Sequence, residues 1–266
     1  MTLAIEFHQP GADLAHALTS FEWRSEAFDF WIFDRRADDL HARRKVLHVI
    51  APPVDVPSLR REIVIRTQRL AAQRNACSGE RWFTRVVEEH RRLHDLSKPL
   101  VRADLDHALD TWQWTLRLDA HAPAAVQLAA LLHDIERLTS EADVRIEHLA
   151  SDYQAYKDAH AAAGARFAAS LFERAGVPSG IAQDACALIA AHERAGESPR
   201  LRAVNDADAL SFFSFNSPGY LRYFGPEHTA KKVEYTYRRM SPSARGWLDL
   251  VRIPSAIRDQ VQRCAS

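Results

Sequence analysis

Six residues of types that bind divalent cations recur along the middle of this chain: His107, His133 with Asp134 beside it, His160, His192 and Asp208. Twenty-six residues separate His107 from His133, and again Asp134 from His160; 32 separate His160 from His192, and 16 separate His192 from Asp208. Apart from the adjacent pair, each lies in its own segment of period-3.6 apolar pattern, so helical phase tests which way it faces. Gly164, Phe167 and Leu171 lie 4, 7 and 11 residues after His160, and Ile181, Ala185 and Leu188 lie 11, 7 and 4 before His192. Each set defines one helix face. Leu201, Val204, Phe212 and Phe215 share a face with Asp208, and Val126 and Ala130 lie beneath His133. His107 fits less cleanly: the stripe Leu105, Leu109, Trp112, Leu116 is offset from it, and it shares its side with Trp114. An inward polar group without a partner costs roughly 1–3 kcal/mol. One such histidine would read as an ordinary core residue. Several, from five helices, satisfy one another best through a shared cation, because imidazole and carboxylate both offer lone pairs to a metal.

The elements that must position these residues are helices. The pattern predicts them over about 57–76, 80–96, 101–118, 123–138, 151–175, 179–195, 200–215, 226–240 and 242–263. Pro57-Ser58, Ser78 before Gly79, Pro123 and Pro226-Glu227 are start signals, and Gly176 with Pro178 and Gly196 with Pro199 are stops. The first 55 residues are aromatic-rich, and "RKVLHVIAPPVDVP" reads as a short strand running into a Pro-rich turn. The expected organisation is all-α: an N-terminal extension over 1–80 packed on the body, a helical metal-binding domain over 81–240 and a C-terminal helix over 241–266.

Composition narrows the function. The chain has 266 residues, 47% hydrophobic and 26% charged, with 35 basic and 35 acidic side chains. That balance suits a globular domain and gives no net field to draw in nucleic acid or an anionic membrane. Three cysteines without C-x-x-C spacing argue against a disulfide framework and for a reducing, cytoplasmic setting. No signal-peptide pattern opens the sequence, and no apolar run is long enough for a membrane helix. The lack of H-x-E with P-C-x-x-C argues against a nucleic-acid deaminase.

The order H…HD…H…H…D resembles the HD-domain superfamily of metal-dependent phosphohydrolases over about 100–215, with "LAALLHDIE" similar to its signature segment. "KDAHAAAGARFAASLFERAGVP" resembles the helix carrying an added histidine in dinuclear members, and "IAAHE" and "NDADALSF" resemble the later histidine and closing aspartate. The resemblance implies a helical bundle with metal held between helices. His107, His133, Asp134 and Asp208 would bind one ion; His160 and His192 would hold a second, with Asp134 bridging. Of the two aspartates in "NDADAL", Asp208 matches the D-x-L pattern and its apolar stripe, whereas Asp206 reads as an outer partner or a cap. His121 competes with His107 but lies too close to His133 for the family spacing. His90, His94 and His148 stand in charged contexts and are expected at the surface. His8, His16, His41, His48 and His228 have no ligand-like context.

Two divalent ions would lower the pKa of a bridging water and neutralise charge during phosphoryl transfer. The expected activity is hydrolysis of a phosphoester of a small metabolite or nucleotide. Asp134 would orient the nucleophile, and Arg137 and Lys157, one turn from His133 and His160, would hold phosphate; Arg145 and Arg194 are weaker candidates by phase. The donors suit Fe, Mn, Co, Ni or Zn alike. Members of the superfamily with the same ligand order hold a mixed-valent di-iron pair and cleave C–C or C–P bonds with O₂, so an oxygenase is the alternative. A non-catalytic metal-binding regulatory module is a third reading. Tyr220, Tyr223 and Phe224, between Gly219 and Gly225, read as a lid or aromatic wall, or else as packing; Lys231, Lys232 and Arg238 read as phosphate contacts or a solvated face.

Overall fold

The computed structural model describes the backbone of residues 3–7, 28–34 and 44–50, and residues 80–265 apart from 120, 197, 251 and 252. The helix expected over 57–76 lies outside the described residues. The chain divides into two compact units, one of 1–71 with 249–252 and one of 72–248 with 253–266.

The smaller unit holds a three-stranded antiparallel sheet in the order β1 (Leu3–Phe7), β2 (Phe28–Asp34), β3 (Arg44–Ile50). Leu3 pairs with Asp34 and Phe7 with Phe30; Phe28 pairs with Ile50, and the register slips between Phe30 and Trp31. Only β3 matches the strand expected from sequence. In "FDFWIFD" the aromatic and β-branched residues that fit a pleated surface make β2 a strand.

The larger unit is helical, with no strand among its described residues: α1 (Arg81–Leu93), α2 (Pro99–Leu118), α3 (Ala124–Leu132), α4 (Arg137–Ser140), α5 (Tyr153–Ala175), α6 (Ser179–Ala191), α7 (Pro199–Ser211), α8 (Ser217–Arg239), α9 (Pro242–Gly246) and α10 (Ser255–Ala265). No helix among the described residues is long and apolar enough to cross a membrane. A single π-turn, Phe212–Asn216, carries α7 directly into α8, and α8 kinks at Gly225 (φ 77°) before Pro226. Glycine supplies the left-handed backbone there and proline restarts the helix. The helix expected over 242–263 is instead α9 and α10 with a 3₁₀ turn, Trp247–Leu250, after α9.

The nine residues of α3, "AAVQLAALL", are apolar on almost every face, which suits a helix surrounded by others. It packs against α2, α6 and α7, and Leu128 to Leu132 are fully enclosed. Its one polar residue is satisfied: Gln127 donates to the Ala122 carbonyl at 2.8 Å and accepts from the Trp112 indole at 3.2 Å. The C-terminal end of α3 is therefore ringed by neighbours, and the His133–Asp134 pair falls at that end. Helix α5 comes close to it through Gly164, where a Cβ would stand 3.4 Å from the His133 carbonyl oxygen and 3.6 Å from Ile189 Cγ2. Gly164→Ala should change stability by less than about 1 kcal/mol. Gly164→Val should cost about 1–3 kcal/mol by overpacking, read as a lower urea midpoint at unchanged slope. Equal midpoints for the two variants would mean that α5 has room to move.

Candidate metal centre

Five elements bring the six donors together. His107 lies on α2, His160 on α5 and Asp208 on α7; His133 and His192 are the C-cap residues of α3 and α6. The two cap histidines share one local device. His133 Nδ1 lies 2.9 Å from the Ala130 carbonyl and His192 Nδ1 2.7 Å from the Ile189 carbonyl, each three residues back. A helix's last carbonyls lack a full set of main-chain partners, so the ring N–H satisfies one of them. Donation from Nδ1 leaves the Nε2 lone pair free, and both Nε2 atoms face the same place.

The other two rings are fixed in the same sense. His160 Nδ1 donates to Glu136 Oε2 at 2.6 Å, and Glu136 also accepts from Ser140 at 2.7 Å. His107 Nδ1 donates to Ser211 Oγ at 2.9 Å, and Ser211 Oγ donates back to the His107 carbonyl at 3.4 Å. These outer contacts set tautomer and ring direction, as they do around metal-bound histidines.

The four Nε2 atoms meet two carboxylates. Asp208 Oδ1 lies 3.2 Å from His107 Nε2 and 3.6 Å from His133 Nε2. Asp134 Oδ1 lies 3.0 Å from His160 Nε2 and 3.8 Å from His192 Nε2, and its Oδ2 lies 3.7 Å from His133 Nε2. Asp134 thus stands between two donor groups, His107–His133–Asp134 and Asp134–His160–His192–Glu193, within each of which the donor atoms lie within 4.8 Å of one another. His133 Nε2 and His192 Nε2 are buried without a hydrogen-bond partner. Two buried ring nitrogens without a hydrogen-bond partner, each within 4 Å of a carboxylate, are the signature of a site that fits a cation. Burial alone would raise the carboxyl pKa of Asp134, but the Arg137 guanidinium and the His133 ring hold it well below the usual carboxylate range. His107 and His133 do the same for Asp208. Both carboxylates are therefore ionised.

A cleft enclosing about 630 Å³, solvent included, opens beside these donors. Arg137 and Lys157 line it, but both are committed to carboxylates rather than standing free at a rim. Arg137 donates from Nε to Asp134 Oδ2 at 2.9 Å and pairs with Glu141 and Glu147. Lys157, only 1% exposed, pairs with Glu193 at 2.8 Å and Glu147 at 3.2 Å. Arg145 forms a two-point pair with Asp104 at 2.7 and 3.1 Å, and Arg194 is exposed and paired with Asp158. Lys232 also lines the cleft, and among the described residues it has no carboxylate within ion-pair distance; it lies over the rings of Phe212 and Tyr235. Lys231 and Arg238 instead point outward and pair with Glu227 and Glu234 on their own helix. Aromatic rings line the cleft as well: Tyr220 and Phe224 stand 4.4 Å apart, with His228 stacked on Phe224 at 4.8 Å outside the lining.

Asp206 accepts from the Ser241 backbone N–H and hydroxyl at 2.8 and 2.6 Å and so anchors the start of α9. His121 and His148 are exposed. The expectation that His90 and His94 lie at the surface is overturned: they are 1% and 6% exposed, packed edge to face at 4.5 Å. "EEHRRLHD" looks charged because its Glu and Arg residues face outward, while the two histidines share the inward face one turn apart. Sequence reasoning missed Glu136, Glu193 and Arg239. Arg239 reaches Glu193 Oε2 at 3.2 Å, Asp208 Oδ2 at 3.4 Å and the His192 carbonyl at 3.1 Å. The one available signal was adjacency: Glu136 and Glu193 lie three and one residues after candidate ligands.

The chain belongs to the family of a domain of unknown function, DUF4202, whose model matches residues 86–261. The match spans the helices that carry all six donors. No match was found among curated proteins or among solved structures.

Proposed function

We propose that this chain is a metal-dependent phosphohydrolase of the HD type, acting on a small phosphorylated metabolite or nucleotide. The observation that carries the reading is the meeting of four Nε2 atoms and two ionised carboxylates, two of those nitrogens buried without partners. Bound divalent ions would activate a water and neutralise charge on the phosphoryl oxygens. His107, His133, Asp134 and Asp208 would hold one ion, and His160 and His192 would hold a second with Asp134 shared. The chain's own residues do the rest. Asp134, fixed by Arg137, orients the nucleophile's position. Lys232, the cleft cation without a carboxylate partner among the described residues, binds the phosphate. Phe212, Tyr220 and Phe224 wall the cleft and exclude bulk water. That cation suits a substrate with an anionic phosphoryl group and so favours phosphate chemistry over oxygenation of an uncharged polyol.

The test is phosphate release from nucleotides and sugar phosphates, assayed anaerobically with Mn²⁺ or Co²⁺. Turnover is expected, and Lys232→Ala should raise KM at least about tenfold. No release across the panel, with O₂ uptake by the iron-loaded protein on a polyol or phosphonate, would overturn the reading.

Metal uptake should release protons. Burial opposes a charge on His192, but the carboxylates of Asp134 and Glu193, 3.8 and 3.6 Å from its Nε2, push its pKa up to about 9. His133 is raised as well, chiefly by Asp134 against burial. A metal takes only the neutral ring, so binding near pH 7.5 should expel on the order of one proton per chain. The release should fade as pH rises past about 9. In the metal-free protein the same shift stabilises the fold fully below about pH 6.5, and that contribution is lost as pH rises through about 9. Calorimetry of Mn²⁺ binding in buffers of different ionisation enthalpy measures the protons; heats independent of buffer at pH 7.5 would contradict the assignment.

A further inference from the structure

Glu193 lies in the second donor group, although neither the spacing nor the family pattern points to it. Its Oε1 is 3.6 Å from His192 Nε2. Its donor atom and those of Asp134, His160 and His192 lie within 4.8 Å of one another. Two donors that share one ion at about 2.0–2.2 Å each stand roughly 3–4 Å apart. Glu193 is 5% exposed, and both its oxygens are engaged: Oε1 accepts from Lys157 Nζ at 2.8 Å and Oε2 from Arg239 at 3.2 Å. The Tyr235 hydroxyl and Arg239 also grip the main-chain carbonyls of Glu193 and His192. The carboxylate is thus held facing the orphaned His192 Nε2, with a buried ammonium on the oxygen nearest the site.

We propose that Glu193 is a ligand of the second metal position, and that Lys157 holds its Oε1 whenever no ion is bound. The inference rests on the metal reading above. With Glu193 included, each position has two imidazoles and two carboxylates, Asp134 being shared. Without it the second position has three protein donors and the first has four. Lys157 retains Glu147 at 3.2 Å when it yields Glu193, so the exchange does not leave the ammonium without a carboxylate. The second ion must displace a buried ion pair, so it binds more weakly than the first.

Titration of the full chain with Mn²⁺, with bound ions counted by elemental analysis, tests this. The wild-type protein should take two ions with unequal affinities. Glu193→Gln should keep the first and weaken the second at least about tenfold. Lys157→Met, which leaves Glu193 in place, should tighten the second ion several-fold and widen the gap in Tm between chelator-treated and Mn²⁺-loaded protein. Should Glu193→Gln fail to fold, the Lys157 variant still tests the proposal independently. A second-ion affinity unchanged in either variant overturns the proposal, as does a single ion per wild-type chain. A wild-type protein that takes up no Mn²⁺, Fe²⁺, Co²⁺ or Zn²⁺ overturns the metal reading itself, so the two failures are distinguishable.

Discussion

Asp134→Ala should leave the protein with less than about one tightly held ion per chain and with turnover at or near background. Asp134 is the one donor shared by both groups, 3.0 Å from His160 Nε2 and 3.7 and 3.8 Å from His133 and His192 Nε2. On the proposed reading its removal takes a ligand from each position and the group that orients the nucleophile. A missing ligand costs far more than a missing outer contact, itself worth about 10–100-fold in affinity or activity. Asp134→Asn separates charge from shape: it retains the volume and one oxygen but cannot supply the anionic charge. Both variants should fold, because Arg137 keeps Glu141 and Glu147 as partners. The check is ion content by elemental analysis beside circular dichroism. A folded Asp134→Ala protein that still holds two ions would remove Asp134 from the centre.

Arg137→Ala should act first on stability. Its guanidinium is 12% exposed and ties together Asp134, Glu141 and Glu147. Glu141 is also the acceptor that closes the 141–147 loop, taking the backbone N–H groups of Ile146 and Glu147 at 2.8 and 3.0 Å. Deleting the arginine takes one cation from three carboxylates at once, leaving Glu147 with Lys157 at 3.2 Å, Glu141 with Arg145 at 3.6 Å and Asp134 with His160 at 3.0 Å. Removing one partner of such a buried network costs about 3–5 kcal/mol, a fall in Tm on the order of 10 °C for a domain of this size. Bound Mn²⁺ should recover part of the loss, because it neutralises Asp134. Scanning calorimetry with and without metal decides. A Tm within about 2 °C of wild type, together with a raised KM, would instead make Arg137 a substrate contact, as its helical phase beside His133 suggests.

How much of this was legible in the sequence differs residue by residue. His160, His192 and Asp208 could be placed inward because helical period reports which residues share a face with apolar neighbours, and the structure brings them together at the end of α3. His107 did not fit its stripe by phase, yet it is 5% exposed and its Nε2 reaches Asp208. On α2 the buried surface runs nearly all round, taking in Leu105, His107, Trp112 and Trp114. A period argument loses most of its power on a helix whose solvated face is as narrow as the stripe Arg102, Asp106, Leu109, Gln113 and Arg117. The strands β1 and β2 escaped because no period-2 alternation marked them clearly.

The sequence by itself determined the helical body, the order of the six donors and the helices that carry most of them. Those follow from local periodicity and from residue types that need partners once buried. Only the tertiary structure decided which ring nitrogen faces the centre, because that depends on acceptors such as the Ala130 and Ile189 carbonyls, Glu136 and Ser211. It alone decided that Arg137 and Lys157 are paired with carboxylates while Lys232 has none within ion-pair distance among the described residues, because those carboxylates come from the 141–147 loop and from Glu193, 36 residues beyond Lys157. Charge balance in a buried cleft is summed over side chains from distant segments, and one helix's pattern carries no record of what faces it.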